Sequence, residues 1–219
     1  MRSVLLVFFC LALSANLPVF SQYYYNDVIA VSETNTLYAT LKANKVTQVS
    51  AINVGYDNMP DEDFVYRKRL LNNGATIITE SKIAQGTPTT STAFYTNNKV
   101  VKVTDSSDKV LTTTQYTYNA AGNINTIDIV TDDDFMNSYL EEKHTWLYDA
   151  AGLPTQLTII KNKTDTTLVT FVKDDAGNIG EERWQKKGRR IETYFYYYNA
   201  KKQMTDVVRN NLKAQRMLP

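Results

Sequence analysis

Four runs of carboxylates supply the residues of this chain that are best suited to acid–base chemistry. They are Asp132-Asp133-Asp134, Glu141-Glu142, Asp174-Asp175 and Glu181-Glu182. A pair of carboxylates about 5–10 Å apart can hydrolyse a glycosidic bond. Adjacent residues of a β-strand point to opposite faces, so the members of one run cannot form such a pair. A glycosidase would need carboxylates that the fold brings together across strands, whereas solvated turns and strand edges explain the runs without catalysis.

His144 is the only histidine of the chain. Histidine is the commonest general base because its pKa lies near neutrality. A single histidine beside Trp146 in a predicted strand is nevertheless more often a structural residue than a catalytic one. The sequence therefore predicts no catalytic residue.

Acidic turns offer oxygen ligands for calcium at two places. Asp174 and Asp175 precede Gly177-Asn178, and three aspartates occupy 132–134. Calcium prefers carboxylate and carbonyl oxygens, but neither stretch has the spacing of an EF-hand loop. We therefore predict no cofactor and no metal ligands, and calcium is the one ion that the sequence leaves open.

Aromatic side chains are the best candidates for ligand binding. Tyr194, Tyr196 and Tyr198 alternate along one face of a predicted strand, and Trp146 has a similar place in an earlier strand. Such rings can stack on sugars, and cross-strand packing is the alternative explanation. The basic segment 186–190 could bind an anionic polysaccharide or phosphate, or simply form a soluble hairpin end.

These candidates lie in or beside a phrase that occurs four times. Its copies occupy 116–124, 146–153, 171–179 and 196–204. In the best copies an aromatic residue precedes Asn or Asp, whose side chain can accept a hydrogen bond from the backbone two residues later. A glycine three positions after the Asn or Asp allows the positive φ that a tight turn needs. Aromatic residues suit the half-buried strand before the turn. The pattern predicts a series of β-hairpins.

The phrases at 116–124 and 146–153 resemble the YD repeat of the RHS family, whose signature is Tyr-x-Tyr-Asp-x-x-Gly-Asn/Arg-Ile/Leu. The resemblance covers about 94–210, where the third copy has Lys173 in place of tyrosine and the fourth has Lys202 in place of glycine. It implies a secreted, envelope-associated array of β-hairpins. Some members of the family encapsulate toxins or take part in adhesion and carbohydrate contact. None of the family's catalytic or toxin segments is recognisable in this sequence.

The N-terminus has the pattern of a signal peptide over 1–21. Arg2 gives a short positive region, an apolar run follows, and we predict cleavage after Ser21, with Ala15 as the alternative site. The apolar run of about a dozen residues is too short to span a bilayer. We therefore expect a secreted or periplasmic protein of the cell envelope, with no transmembrane span in the mature chain.

Composition excludes several classes of partner and chemistry. Loss of Arg2 leaves 23 basic residues from 24, against 23 acidic residues. A neutral chain does not indicate binding to nucleic acid or to an anionic membrane. Cys10 is the only cysteine and lies in the predicted signal peptide, so the mature chain has no disulfide or thiolate site.

The stretch before the repeats predicts one short helix and then strands. Apolar residues recur at helical spacing after Ser32-Glu33-Thr34, which predicts a helix over 34–43. Alternation of polar and apolar residues begins at Lys45, and Asn72-Asn73-Gly74 predicts a hairpin turn.

We therefore predict an all-β fold, an antiparallel β-hairpin meander of about twelve strands that is twisted or partly closed, with one short N-terminal helix. The predicted parts are an N-terminal segment over 22–45 and a single repeat domain over 46–219 that stops inside a repeat. A membrane barrel is the rival fold. The strand at 178–186 has charged residues on both faces, which argues against a lipid-facing side.

The function that these features predict is a non-enzymatic, exported, YD-repeat-like module for interaction with an envelope protein or a glycan. A secreted carbohydrate-active enzyme and a periplasmic carrier of an apolar ligand are the alternatives. The sequence does not determine an oligomeric state.

Overall fold

A computed structural model describes residues 25–56, 58–60, 63–83 and 86–211, which form one sheet and one α-helix. The thirteen strands are antiparallel and lie side by side in the order of the sequence. The predicted all-β hairpin meander with one N-terminal helix is therefore confirmed, with thirteen strands in place of about twelve. The predicted signal peptide at 1–21 and the predicted stop inside a repeat at Pro219 lie outside the described residues.

The helix, α1, spans Tyr25–Ala43 and packs on one face of the sheet, which we name the front face. The outermost strands are the first and the last, and within the described residues no pairing joins them, so the sheet is open. The strands are β1 (Gln48–Ala51), β2 (Val65–Leu71), β3 (Thr76–Lys82), β4 (Thr89–Thr96), β5 (Lys99–Ser107), β6 (Val110–Tyr118), β7 (Ile124–Asp133), β8 (Ser138–Tyr148), β9 (Pro154–Lys161), β10 (Asp165–Lys173), β11 (Ile179–Lys186), β12 (Arg189–Tyr198) and β13 (Met204–Asn211).

The helix begins nine residues before the predicted start at residue 34. Ser32-Glu33-Thr34, interpreted from the sequence as a helix start, lie inside it, where the Thr36 hydroxyl donates to the Ser32 carbonyl at 2.9 Å. Such bonding to the preceding turn satisfies hydroxyls within a helix. Asp27 lies in the first turn, where a negative charge interacts favourably with the helix dipole.

The core lies on the front face, and Val31 and Tyr38 of α1 belong to it. The rings of Tyr38 in α1 and Tyr95 in β4 stack with their centroids 3.8 Å apart. Alternate residues of the strands contribute the rest of the core, as the period of two requires. The buried apolar residues are Val31, Tyr38, Ile77, Tyr95, Val100, Ile124, Ile127, Trp146, Leu157, Ile159, Val169, Phe171, Ile179, Tyr194 and Tyr196.

The four repeated phrases fold into four equivalent turns. In the first, the Gly122 amide donates to the Asn119 carbonyl and the Asn123 amide donates to the Asn119 side chain, at 2.9 and 3.0 Å. Asp149, Asp174 and Asn199 accept the same two bonds in the later turns. A register shift precedes each turn, as expected of a β-bulge. We name this end of the sheet the turn end.

Lys202 occupies the turn position that glycine has in the other three copies. Its φ is +59°, and its amide donates to the Asn199 carbonyl as the glycines do, so the substitution leaves the turn intact. In this left-handed region the backbone strain of a residue with a Cβ lowers the stability of the fold by about 1–2 kcal/mol. A glycine avoids this strain, but it lowers stability by about 0.4–1 kcal/mol because it raises the conformational entropy of the unfolded chain.

We therefore expect Lys202→Gly to raise the free energy of unfolding by about 0.5–1 kcal/mol. Urea denaturation of the purified protein measures this change. The exposed neighbour Lys201 has no positive φ, so Lys201→Gly is the control and should destabilise the fold. Equal destabilisation by both variants would contradict the conformational argument.

Candidate functional site

A groove lies between α1 and the turn end of β5–β8. Its volume is about 700 Å³. Side chains on one face of α1 form one wall of the groove. The ends of the strands and the first of the four repeated turns form the other wall. The lining residues are Val28, Val31, Ser32, Asn35, Thr36, Ala39, Thr40, Ala43, Asn44, Lys99, Tyr118, Gly122, Asn123, Ile124 and Tyr148.

Most polar side chains of the groove are uncharged hydroxyls and amides. The Asn35 side-chain oxygen accepts a hydrogen bond from the Val100 amide at 2.8 Å, which fixes the helix against β5. Lys99 is the only charged residue among the described residues of the lining. Its ammonium donates to the Gly122 carbonyl at 2.7 Å and lies 4.8 Å from the centre of the Tyr118 ring. The groove thus combines aromatic and aliphatic surface with neutral polar groups and one cation.

The tyrosines before the repeated turns differ in what their hydroxyls contact. Tyr118 donates to the Val100 carbonyl at 2.7 Å, and Tyr198 donates to the Ile179 carbonyl at 2.8 Å. Tyr148 lines the groove, and its hydroxyl is buried without a hydrogen-bond partner in the described part of the chain. Burial, together with the charge of Asp27, raises the pKa of Tyr148 well above its usual value. A buried hydroxyl without a hydrogen-bond partner destabilises the fold unless a ligand or a water molecule accepts its hydrogen bond.

A buried charge cluster holds the N-terminal turn of α1 on the sheet. His144 is 3% exposed, and its ring nitrogens contact Asp27 at 2.8 Å and Glu142 at 2.6 Å. Lys161 lies 2.7 Å from the other Glu142 oxygen. Both ring nitrogens of His144 are occupied by carboxylates, so the geometry explains this residue as structural, as the sequence suggested.

The cluster shifts the pKa values of two of its members. Burial alone would lower the pKa of His144, but hydrogen bonds and charges from Asp27 and Glu142 outweigh it and raise the pKa from 6.5 to about 9. Burial opposes ionisation of Glu142 too, yet His144 and Lys161 together lower its pKa from 4.5 to about 2. The imidazolium form is therefore the stable one at neutral pH.

The aromatic residues that the sequence proposed for ligand binding lie in or against the core. Trp146 and Tyr194 are each 1% exposed, Tyr196 is 4% exposed, and Tyr198 is half-buried. Trp146 stacks on Phe171 with the ring centres 5.5 Å apart. Packing accounts for these rings, which is the alternative that the sequence analysis left open. Their role in sugar binding stays a prediction, and it would require the rings on the front face to become exposed to solvent.

The candidate carboxylates have structural partners. Glu141 lies 3.3 Å from Lys163, and Asp174 accepts the Asn178 amide of its turn at 2.8 Å. Glu182 is fully buried and accepts hydrogen bonds from Trp184 and Tyr196. The carboxylate runs thus gain no support as an acid–base pair, and none of the described residues that line the groove is a carboxylate.

Among the described residues, no group of three or more His, Cys, Asp or Glu side chains is placed to hold a metal ion. Calcium binding therefore stays a prediction without structural support. The helix α1 lacks the combination of length and apolar character needed to cross a membrane.

Comparison with known proteins does not assign this arrangement to a family. No family model matches the chain. A search of curated proteins also finds no match. The resemblance to YD repeats therefore stays a prediction that rests on the four repeated phrases.

Sequence reasoning did not identify the groove. Asn35 and the Val100 amide that it binds are 65 positions apart in the chain, so spacing could not bring them together. One signal was available on the helix, where the hydroxyl residues Ser32, Thr36 and Thr40 follow each other at intervals of four. This spacing places them on one face of a helix, but only a helix that starts before residue 34 includes all three.

Proposed function

We propose that this protein is a non-enzymatic, exported module that binds a glycan at the cell envelope or surface, in the groove between α1 and the turn end. The observation that carries the proposal is made at Tyr148, a residue that lines the groove and whose buried hydroxyl has no hydrogen-bond partner in the described part of the chain. A ligand oxygen bound there would accept its hydrogen bond and remove the cost of the unsatisfied donor.

The lining favours a sugar over other small ligands. Sugars present hydroxyls that both donate and accept, and their ring faces are apolar enough to pack on aromatic side chains. The groove offers Asn123 and the helix hydroxyls for the first role, and Tyr118, Tyr148 and Ile124 for the second. Lys99 adds one cation, so an acidic sugar fits as well as a neutral one.

The two alternative functions have less support from the site. A glycosidase needs two carboxylates in the cleft, and the part of the groove lining that the structure describes contains none. A carrier of apolar ligands needs an enclosed apolar cavity, whereas this site is an open groove that mixes apolar side chains with hydroxyls, amides and Lys99. The exported part of the proposal rests on the predicted signal peptide and on the resemblance to YD repeats.

Thermal unfolding with a panel of neutral and acidic oligosaccharides tests the proposal. A glycan at one hundred times its dissociation constant should add about 2.7 kcal/mol to the free energy of unfolding. Thr36→Trp should abolish this gain, because Thr36 lines the groove and is exposed there. Thr34→Trp is the matched control, since Thr34 is exposed on the same helix but does not line the groove.

We expect Tyr148→Phe to weaken glycan binding by about tenfold, because it removes a donor that the ligand would satisfy. The variant should fold with a stability equal to that of the wild type or up to about 1 kcal/mol higher, because it removes a buried hydroxyl that has no partner in the free protein. Tyr118→Phe is the contrasting variant, which loses the bond to the Val100 carbonyl and about 1 kcal/mol of stability. Unchanged affinity in Tyr148→Phe, measured by titration calorimetry, would contradict the proposed site.

A further inference from the structure

The hairpins at the end of the sheet opposite the turn end, which we name the tip end, differ sharply in charge. The tip between β7 and β8 contains Asp132-Asp133-Asp134, and the tip between β11 and β12 contains Lys186, Lys187, Arg189 and Arg190. The hairpin of β9 and β10 lies between them in the sheet. One molecule therefore has an acidic tip and a basic tip on either side of a central hairpin.

The acidic tip also exposes large apolar side chains. Phe135 is 77% exposed and Met136 is 68% exposed. Tyr139, Leu140 and Leu111 on the adjoining strands are 58%, 52% and 46% exposed. Single exposed apolar residues are ordinary, but Phe135 and Met136 at the tip, with Leu111 and Tyr139 on one face of its strands and Leu140 on the other, are typical of an interaction surface.

A recess lies beside the basic tip, between β10 and β11. Its volume is about 340 Å³. Lys186 is held by Asp165 at 2.6 Å, whereas Lys187, Arg189 and Arg190 are exposed. The lining residues are Thr164, Asp165, Thr166, Leu168, Gln185, Lys187 and Gly188.

We propose that two copies of this chain associate through their tip ends. Phe135 and Met136 of one copy enter the recess beside the basic tip of the other, and the acidic tip faces Lys187 and Arg190. Each copy has the acidic tip on one side of the central hairpin and the basic tip on the other. A two-fold axis near that hairpin therefore places the acidic tip of each copy against the basic tip of the other. The occupant of the apolar tip is thus a second copy, selected by complementary charge.

The contact should be weak and sensitive to salt. Its charges are exposed, and ions screen such charges beyond about 10 Å at 0.1 M salt. Two hairpin tips bury much less than the roughly 1,200 Å² of a stable interface, which is typical of a transient complex. We expect a dimer at low salt whose dissociation constant rises steeply as salt is added.

Sedimentation equilibrium at low salt tests the proposal with charge reversals at each tip. One variant combines Asp132→Lys with Asp134→Lys, and the other combines Lys187→Asp with Arg190→Asp. Each reversal places like charges opposite each other, so each variant alone should dimerise at least about tenfold more weakly. An equimolar mixture of the two should regain a dimer, because every charge again faces its opposite.

Two further variants separate this effect from damage to the fold. Asp175→Lys at the turn end is the control for charge and should dimerise as the wild type does, because Asp175 is exposed far from both tips. Phe135→Ser removes the apolar contact without changing any charge and should weaken the dimer. A wild-type protein that stays monomeric at low salt, a reversal that leaves the dimer intact, or a mixture that stays monomeric would each overturn the proposal. This proposal is independent of glycan binding in the groove.

Discussion

Trp146→Ala lowers the free energy of unfolding by about 3–5 kcal/mol, the cost expected for removing a large buried aromatic side chain. Trp146 is 1% exposed and stacks between Tyr148 and Phe171, with ring centres 6.5 and 5.5 Å away. Its truncation leaves a cavity on the front face that rigid strand pairing prevents from closing. Urea denaturation of wild type and variant measures the difference.

The neighbouring residue supplies the control for this experiment. Leu147 is 51% exposed and points to the opposite face, so Leu147→Ala should change stability by only about 0.5 kcal/mol. Trp146→Phe should cost less than the alanine variant, because the indole nitrogen has no hydrogen-bond partner in the described part of the chain. If Trp146→Ala kept its stability, Trp146 would not be a core residue, and its predicted role in ligand binding would regain support.

The contribution of His144 to stability should depend on pH between about 6.5 and 9. The pKa of His144 rises from 6.5 in the unfolded chain to about 9 in the fold. Folding then binds the proton more tightly, so the stabilisation is complete below pH 6.5 and is lost as the pH rises through 9. At about 1.4 kcal/mol per pKa unit, its size is about 3 kcal/mol.

Unfolding of wild type and His144→Gln at pH 6 and pH 9.5 measures this contribution. The stability gap between the two proteins should narrow by about 3 kcal/mol over that range. Because His144 is the only histidine, its ring proton resonance also gives the pKa directly by NMR. Parallel pH profiles of the two proteins, or a pKa near 6.5, would show that Asp27 and Glu142 do not hold the imidazolium.

Glu142 should give the opposite dependence in acid. Its pKa falls from 4.5 to about 2 in the fold, so its stabilisation is complete above pH 4.5 and is lost as the pH falls through 2. The charge cluster under α1 is therefore at full strength at about pH 5–6. Docking of the helix on the sheet should be strongest in that range.

The parts of this fold that the sequence predicted are those that local chemistry determines. Asn119 and Gly122 form their turn through hydrogen bonds within five residues, so a single phrase contains all the required information. Four such phrases at hairpin spacing were enough to predict an antiparallel meander. The sequence did not show whether the fourth turn would form with Lys202 in place of glycine. The turn does form, and Lys202 adopts a positive φ that is strained for lysine and unstrained for glycine.

The parts that the sequence did not predict depend on contacts between distant residues. The first turns of α1 are fixed by the contact of Asp27 with His144, 117 positions away, and the local sequence does not show that contact. The groove arises from the same long-range docking. The burial of Tyr194 and Trp146 was one of two readings of their periodicity, because alternation along a strand shows which residues share a face but not what covers that face.

Mapping a bound glycan by NMR tests whether the groove between α1 and the turn end is a sugar site. The glycan with the largest thermal shift would be titrated into the isotope-labelled protein. We expect amide shift changes at Asn35, Asn123 and Tyr148. These changes should be lost in Thr36→Trp and kept in Thr34→Trp. Shift changes that leave these residues unaffected, or a panel in which no glycan binds, would contradict the proposed sugar site.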